Sequence, residues 1–124
     1  MNKPLNASQV ANIAKLVPLA GKGLCRYCDF DSTMDMRVFW NFTLDHLFPE
    51  RLGGTDSPLN LVFCCYGCNN MKHGWDPSEG QGEPLTEESK SELIRLVRHY
   101  LAERRGAENY WPALFERVRA QKSN

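Results

Sequence analysis

Residues 44–73 read L-D-H-L-F-P-E-R-L-G-G-T-D-S-P-L-N-L-V-F-C-C-Y-G-C-N-N-M-K-H, and their order decides the fold. Asp45 and His46 stand side by side. Pro49 and the Gly53-Gly54 pair turn the chain, and Asn60-Leu61 opens an apolar run ending in Cys65 and Cys68, with Asn69, Asn70 and Lys72 directly after. Upstream, residues 37–44 (R-V-F-W-N-F-T-L) are rich in β-branched and aromatic types, which predicts a strand that delivers Asp45 and His46 at its end. Residues 59–64 return beside it as a second short strand, and residues 68–73 form a short helix closed by Gly74. The expected unit is a hairpin with a long connection over residues 49–58, followed by a helix.

Five cysteines are present, and four fall into two Cys-x-x-Cys pairs, Cys25/Cys28 and Cys65/Cys68. Residues 1–17 lack the charged and apolar regions of a signal peptide, so metal ligation is favoured over disulfides. Two matched pairs predict one tetrahedral Cys₄ zinc site that crosslinks a small core. The 36 residues between Cys28 and Cys65 exceed a usual zinc-ribbon gap, so the pairs bracket the hairpin. The bland alternative is buried or redox thiols. Cys64 competes with Cys65 as ligand, but the spacing to Cys68 favours Cys65 and leaves Cys64 as a small buried strand residue.

The flanks read as helices. Asn6 or Ser8 caps a first helix over residues 8–18, with Val10, Ile13, Ala14 and Val17 on one face. Thr86 caps a second over 86–105, whose apolar stripe is Leu93, Leu96, Val97, Tyr100 and Leu101, and Gly106 ends it. Pro112 opens a last helix over 110–121, with Leu114, Phe115 and Val118 facing inward. At 124 residues and 42% hydrophobic content the chain is expected to form one domain over 1–124, with its core at 24–75. No apolar run approaches the roughly 18 residues of a membrane span, so a soluble, cytoplasmic protein is expected.

Formal net charge is zero, which argues against a nucleic-acid partner, but its distribution is uneven. Residues 86–124 carry eight Lys or Arg against six acids, and residues 25–60 carry three against six. A bound divalent cation and zinc would change the effective field of that acidic stretch, so formal charge understates its affinity for phosphate.

Cys25-x-x-Cys28, Asp45-His46-x-x-Pro49, Gly53-Gly54, Asn60-Leu61 and Cys65-x-x-Cys68-Asn69-x-x-Lys72 together resemble the zinc-containing branch of the HNH endonuclease family. The resemblance covers residues 25–72. It implies an α+β fold: a small ββα-metal core of two antiparallel strands and a helix around one divalent ion, stapled by the Cys₄ zinc and flanked by N- and C-terminal helices. It further implies DNA as partner, His46 as general base, Asp45 as ligand of a catalytic Mg²⁺ or Mn²⁺, and Asn60 as the brace that orients the histidine. Asn69 stands where many members have a final His, an H-N-N variant in which the Asn serves as metal ligand.

The residue chemistry is compatible with hydrolysis of a phosphodiester. A neutral imidazole takes a proton from water, and a carboxylate with a carboxamide offers the oxygen ligands a hard cation prefers. Each residue has a plainer account beside it. An Asp-His pair at a strand end is commonly a structural hydrogen bond, and Asn69 can cap its helix. His73, four residues on, shares a helical face with Asn69, as a further ligand or as a solvent-facing residue. Lys72 and Arg51 either contact phosphate or finish a helix and a loop. Trp40, Trp75 and Trp111 stack on bases or fill the core, and Arg95, Arg98, Arg104 and Arg105 track a DNA backbone or are simply solvated. The reading is a metal-dependent DNA endonuclease, monomer or homodimer, set against a zinc-stabilised DNA-binding or structural module without catalysis.

Overall fold

Two five-residue strands form the hairpin at the centre: β1, Phe42–His46, and β2, Leu61–Cys65, paired antiparallel with Phe42 opposite Cys65 and His46 opposite Leu61. The computed structural model describes residues 6, 8, 16–107 and 110–122. Around the strands lie α1 (Val17–Ala20), α2 (Met36–Trp40), a 3₁₀ turn (Glu50–Leu52), α3 (Tyr66–Lys72), α4 (Glu87–Ala107) and α5 (Tyr110–Lys122). The helix expected at residues 8–18 lies mostly outside the described residues.

Two expectations change here. Residues 37–44 are not one strand, because the Asp35 carboxylate accepts from the Val38 amide at 2.9 Å and caps α2 across residues with strong β propensity. Asn41 then closes α2 through its side-chain amide, which donates to the Arg37 carbonyl, and β1 starts only at Phe42. In α4, Gly106 does not stop the helix, which runs to Ala107.

Alternation along the strands separates two faces. Thr43, Asp45, Val62 and Cys64 share one face, and Cys64 and Val62 join the core formed with Cys25, Tyr27, Leu47, Cys68, Leu85 and the Leu93, Ile94, Val97 and Leu101 stripe of α4. Phe42, Leu44, His46, Leu61 and Phe63 share the other. There the Phe42 and Phe63 rings stack at 4.8 Å, with Phe30 and Phe39 packed beside them.

Helix α4 locks onto the rest of the molecule from outside. Thr86 caps it by accepting from the Ser89 amide at 3.0 Å. Tyr100 stacks flat on Trp75 at 4.1 Å, which makes Trp75 a packing residue. Arg98 donates to the Arg26 carbonyl and grips both Asp29 carboxylate oxygens. That grip holds the Asp29 carboxyl below its usual range. Arg105 reaches the Cys68 sulfur, while Arg104, over the Tyr100 ring and donating to its hydroxyl, and Arg95, bonded to Glu92, are held within the helix. In α5, Phe115 and Val118 are exposed rather than turned inward. Among the described residues, no helix is long and apolar enough to cross a membrane.

Candidate active site and metal centre

The first thiol pair is formed by a tight turn. The Cys25 amide donates to the Phe30 carbonyl and the Asp29 amide to the Cys25 carbonyl, with Asp29 in the left-handed region at φ 67°. Arg26 donates from its backbone to Phe63, which ties this turn to β2. The second pair comes from the end of β2 and the first turn of α3. There the Cys65 sulfur acts as N-cap by accepting from the Cys68 amide.

The four sulfurs of Cys25, Cys28, Cys65 and Cys68 lie within 4.8 Å of one another, and Cys28 and Cys65 are 3.8 Å apart. A tetrahedral zinc with Zn–S bonds of about 2.3 Å requires S···S separations of about 3.8 Å, so the set fits a zinc-like metal. Amide and guanidinium donors at Cys25 and Cys68 complete the surroundings that thiolate ligands need. Hydrogen bonds from the Cys65 and Cys68 side chains draw the Cys25 thiol well below its ordinary range. Cys64 is fully buried outside the cluster, and burial pushes its thiol up, so it stays a neutral core residue.

The connection between the strands is shaped by two devices. Gly53, at φ 103°, ends the 3₁₀ turn, and a Cβ on Gly54 would lie 1.8 Å from the Phe48 carbonyl oxygen, so only glycine fits there. The buried Asn60 side chain accepts from the Phe48 amide at 2.8 Å and donates to the carbonyls of Phe48 at 3.1 Å and Thr55 at 2.9 Å. Its carboxamide is a strut across the loop directly beyond His46.

Asp45 and His46 are neighbours in sequence but face opposite sides of the hairpin. Asp45 points into the core, where its Oδ2 accepts from the Tyr27 hydroxyl at 2.7 Å and pairs with the Lys72 ammonium at 3.1 Å. Burial, and then the Asp45 charge, push the Tyr27 phenol well above its ordinary range, so it remains a donor. Oδ1 makes only a longer 3.5 Å contact to Lys72. His46, with one fifth of its side chain exposed, turns its Nε2 to Asp56 Oδ1 at 2.8 Å.

The structure moves two candidate residues away from the roles considered for them. Lys72 is 1% exposed, and its ammonium binds Asp45 and the His46 carbonyl at 3.1 Å, so it braces the strand end from inside and does not face an external phosphate. His73 leaves the helix at φ 48° as the C-cap of α3, so the shared helical face with Asn69 does not exist. Arg51 donates to the Gly74 carbonyl at 2.9 Å and ties the loop to the end of α3. Asn69 lies half-buried in α3, one residue after the last thiol. Trp40 is exposed, and the Trp111 side chain lies outside the described residues.

The buried Asp45–Lys72 pair carries a stability prediction. Lys72→Met leaves a carboxylate inside the core with only Tyr27 to compensate it, at a cost of about 3–5 kcal/mol. Thermal melts of the zinc-loaded protein measure this, and an unchanged midpoint would contradict the buried pairing.

Sequence reasoning missed Asp56 and the inward role of Lys72. Cys68 and Lys72 are four residues apart and both buried on one face of α3, so helical spacing from a known ligand was the available signal for Lys72. No local pattern marks Asp56, which sits in a polar loop.

No curated protein and no solved structure matches the chain. The model of the HNH endonuclease family matches residues 25–79, somewhat less than half of the chain, from the first thiol past the end of α3. The thiol cluster, the two-stranded sheet and the helix all lie inside that match, so over this segment the chain is similar to the HNH endonuclease family.

Proposed function

We propose that the protein is a divalent-metal-dependent DNA endonuclease that hydrolyses phosphodiester bonds, with His46 as general base. The observation that carries this reading is the placement of the His46 ring. It is partly open to solvent at the end of β1, between a strand anchored by the thiol cluster and a loop braced by Asn60. The thiol cluster itself would hold zinc as a structural ion.

His46 removes a proton from a water molecule whose oxygen forms the new bond to phosphorus. The bond to the 3′ oxygen breaks and that oxygen takes up a proton from solvent, leaving 5′-phosphate and 3′-hydroxyl ends. For a catalytic Mg²⁺ or Mn²⁺ the available oxygen donors are Asp45 Oδ1, which has only the long Lys72 contact, and the Asn69 carboxamide. Such an ion, when bound, offsets the charge that builds on the phosphoryl and leaving oxygens. Lys72 holds Asp45 in place from the core side, and Asn60 holds the loop that faces His46.

A second reading is a zinc-stabilised binding module without catalysis. The observation favouring it is that Asp45 Oδ2 is already occupied by Tyr27 and Lys72. Supercoiled plasmid incubated with the protein and Mg²⁺ or Mn²⁺ separates the two. The endonuclease reading expects conversion to the nicked form, abolished by EDTA. Double-strand cutting needs a dimer or two visits, since one such set cuts one strand at a time. Intact plasmid at protein excess would leave the binding module.

A further inference from the structure

His46 Nε2 and Asp56 Oδ1 are 2.8 Å apart, although Asp56 is two-thirds exposed. An exposed pair of this kind is ordinarily worth little, because water competes for both partners and two side chains must be ordered. This pair differs in the turn that presents it. Thr55, just before Asp56, is held at all three of its polar groups. Its amide donates to Glu83 Oε1 at 2.8 Å, its hydroxyl donates to Glu83 Oε2 at 2.6 Å, and its carbonyl accepts from Asn60 Nδ2 at 2.9 Å.

Ser57, just after, is held as well. Its carbonyl accepts from the Asn60 amide at 2.7 Å, and its amide donates to the Thr55 hydroxyl at 3.3 Å. The backbone on both sides of Asp56 is therefore fixed by groups other than His46. Glu83 lies beyond residue 79, outside the segment that matches the HNH family, so the clamp on Thr55 comes from the connector leading to α4.

Resting on the endonuclease reading, we infer that Asp56 is a positioning residue for His46, and that Glu83 sets Asp56 by gripping Thr55. The Asp56 carboxylate accepts the Nε2 hydrogen and fixes the ring in the tautomer whose lone pair is on Nδ1. The proton taken from water then goes to Nδ1, while the Nε2 hydrogen stays on the ring. The resulting imidazolium faces a carboxylate already aligned with it.

The test uses the full chain with zinc bound and has two readouts. Long-range ¹H–¹⁵N correlation spectra of the imidazoles report which ring nitrogen carries hydrogen. The protein has three histidines, and His46→Ala assigns the relevant signals. The expected result is an Nε2–H ring in the wild type and a mixture of tautomers in Asp56→Ala. Plasmid nicking by Asp56→Ala should lose about tenfold or more in kcat with little change in KM. Asp56→Glu should recover part of that loss, and Glu83→Ala should show a smaller loss than Asp56→Ala.

An Nδ1–H ring at His46 in the wild type would overturn the inference, and that result needs only the assigning variant His46→Ala, whose partly exposed ring holds little of the fold. So would an active wild type whose tautomer and kcat are both indifferent to Asp56→Ala. A wild type that does not nick plasmid removes the endonuclease reading instead, and the wild-type spectrum still decides the Asp56–His46 pairing.

Discussion

Cys65→Ser is expected to unfold the protein at ordinary temperature, and chelation of the bound zinc is expected to do the same. Cys65 contributes at three places. Its sulfur belongs to the four-thiol cluster, it caps α3 by accepting from the Cys68 amide, and its own amide donates to the Cys25 sulfur. Structural zinc sites contribute on the order of 10–16 kcal/mol in small peptides, as much as the whole stability of an ordinary domain at about 5–15 kcal/mol. The core cannot replace that contribution, because it is one cluster built around a two-stranded sheet, and an isolated hairpin is marginal in water.

Cys64→Ser supplies the contrast. It places a hydroxyl in the core at an expected cost of about 1–3 kcal/mol and leaves metal stoichiometry unchanged. Circular dichroism melts with elemental analysis of bound zinc check both variants. A Cys65→Ser protein that keeps its metal and its melting midpoint would remove the zinc staple from the account.

His46→Ala is expected to lower plasmid nicking by about 10²–10⁴-fold, the range of a lost general base, while the melting midpoint and zinc content stay close to wild type. The ring is partly exposed, and its recorded hydrogen bond is to an exposed aspartate, so little folding energy depends on it. A residue that served only packing would show the opposite pattern. Unaltered turnover in this variant would reject His46 as the base.

How much of this could be read without coordinates depended on whether the governing interaction was local. The thiol pairs were legible because two residues of spacing place sulfurs on one ion regardless of the fold around them. The Gly53-Gly54 turn and the Asn60-Leu61 entry to β2 were legible for a similar reason, since each answers a backbone requirement within a few residues. Helix α4 was readable from its Thr86 cap and its stripe, although Ile94, one of its buried residues, was not singled out.

The failures involve partners distant in sequence, or caps that override propensity. One Asp35 carboxylate turned residues 36–40 from strand to helix. Lys72 was read as a phosphate contact because a lysine at a helix end usually meets solvent, yet its partner is 27 residues away on β1. For Arg98 the sequence leaves open a DNA-backbone contact or a solvated face, but the side chain closes onto Asp29, 69 residues earlier. Asp56 was passed over because its meaning depends on His46 across the loop and on Glu83 beyond the family segment. The left-handed turn at His73 removes the shared helical face with Asn69, whose placement assumed that the helix continued.

The most direct test of the central claim is a crystal structure of the zinc-loaded protein soaked in Mn²⁺, with anomalous scattering locating each metal separately. The account predicts zinc among Cys25, Cys28, Cys65 and Cys68 and a manganese bound by Asp45 Oδ1 and the Asn69 carboxamide. Zinc in place with no manganese at Asp45 and Asn69 under saturating soak would contradict it.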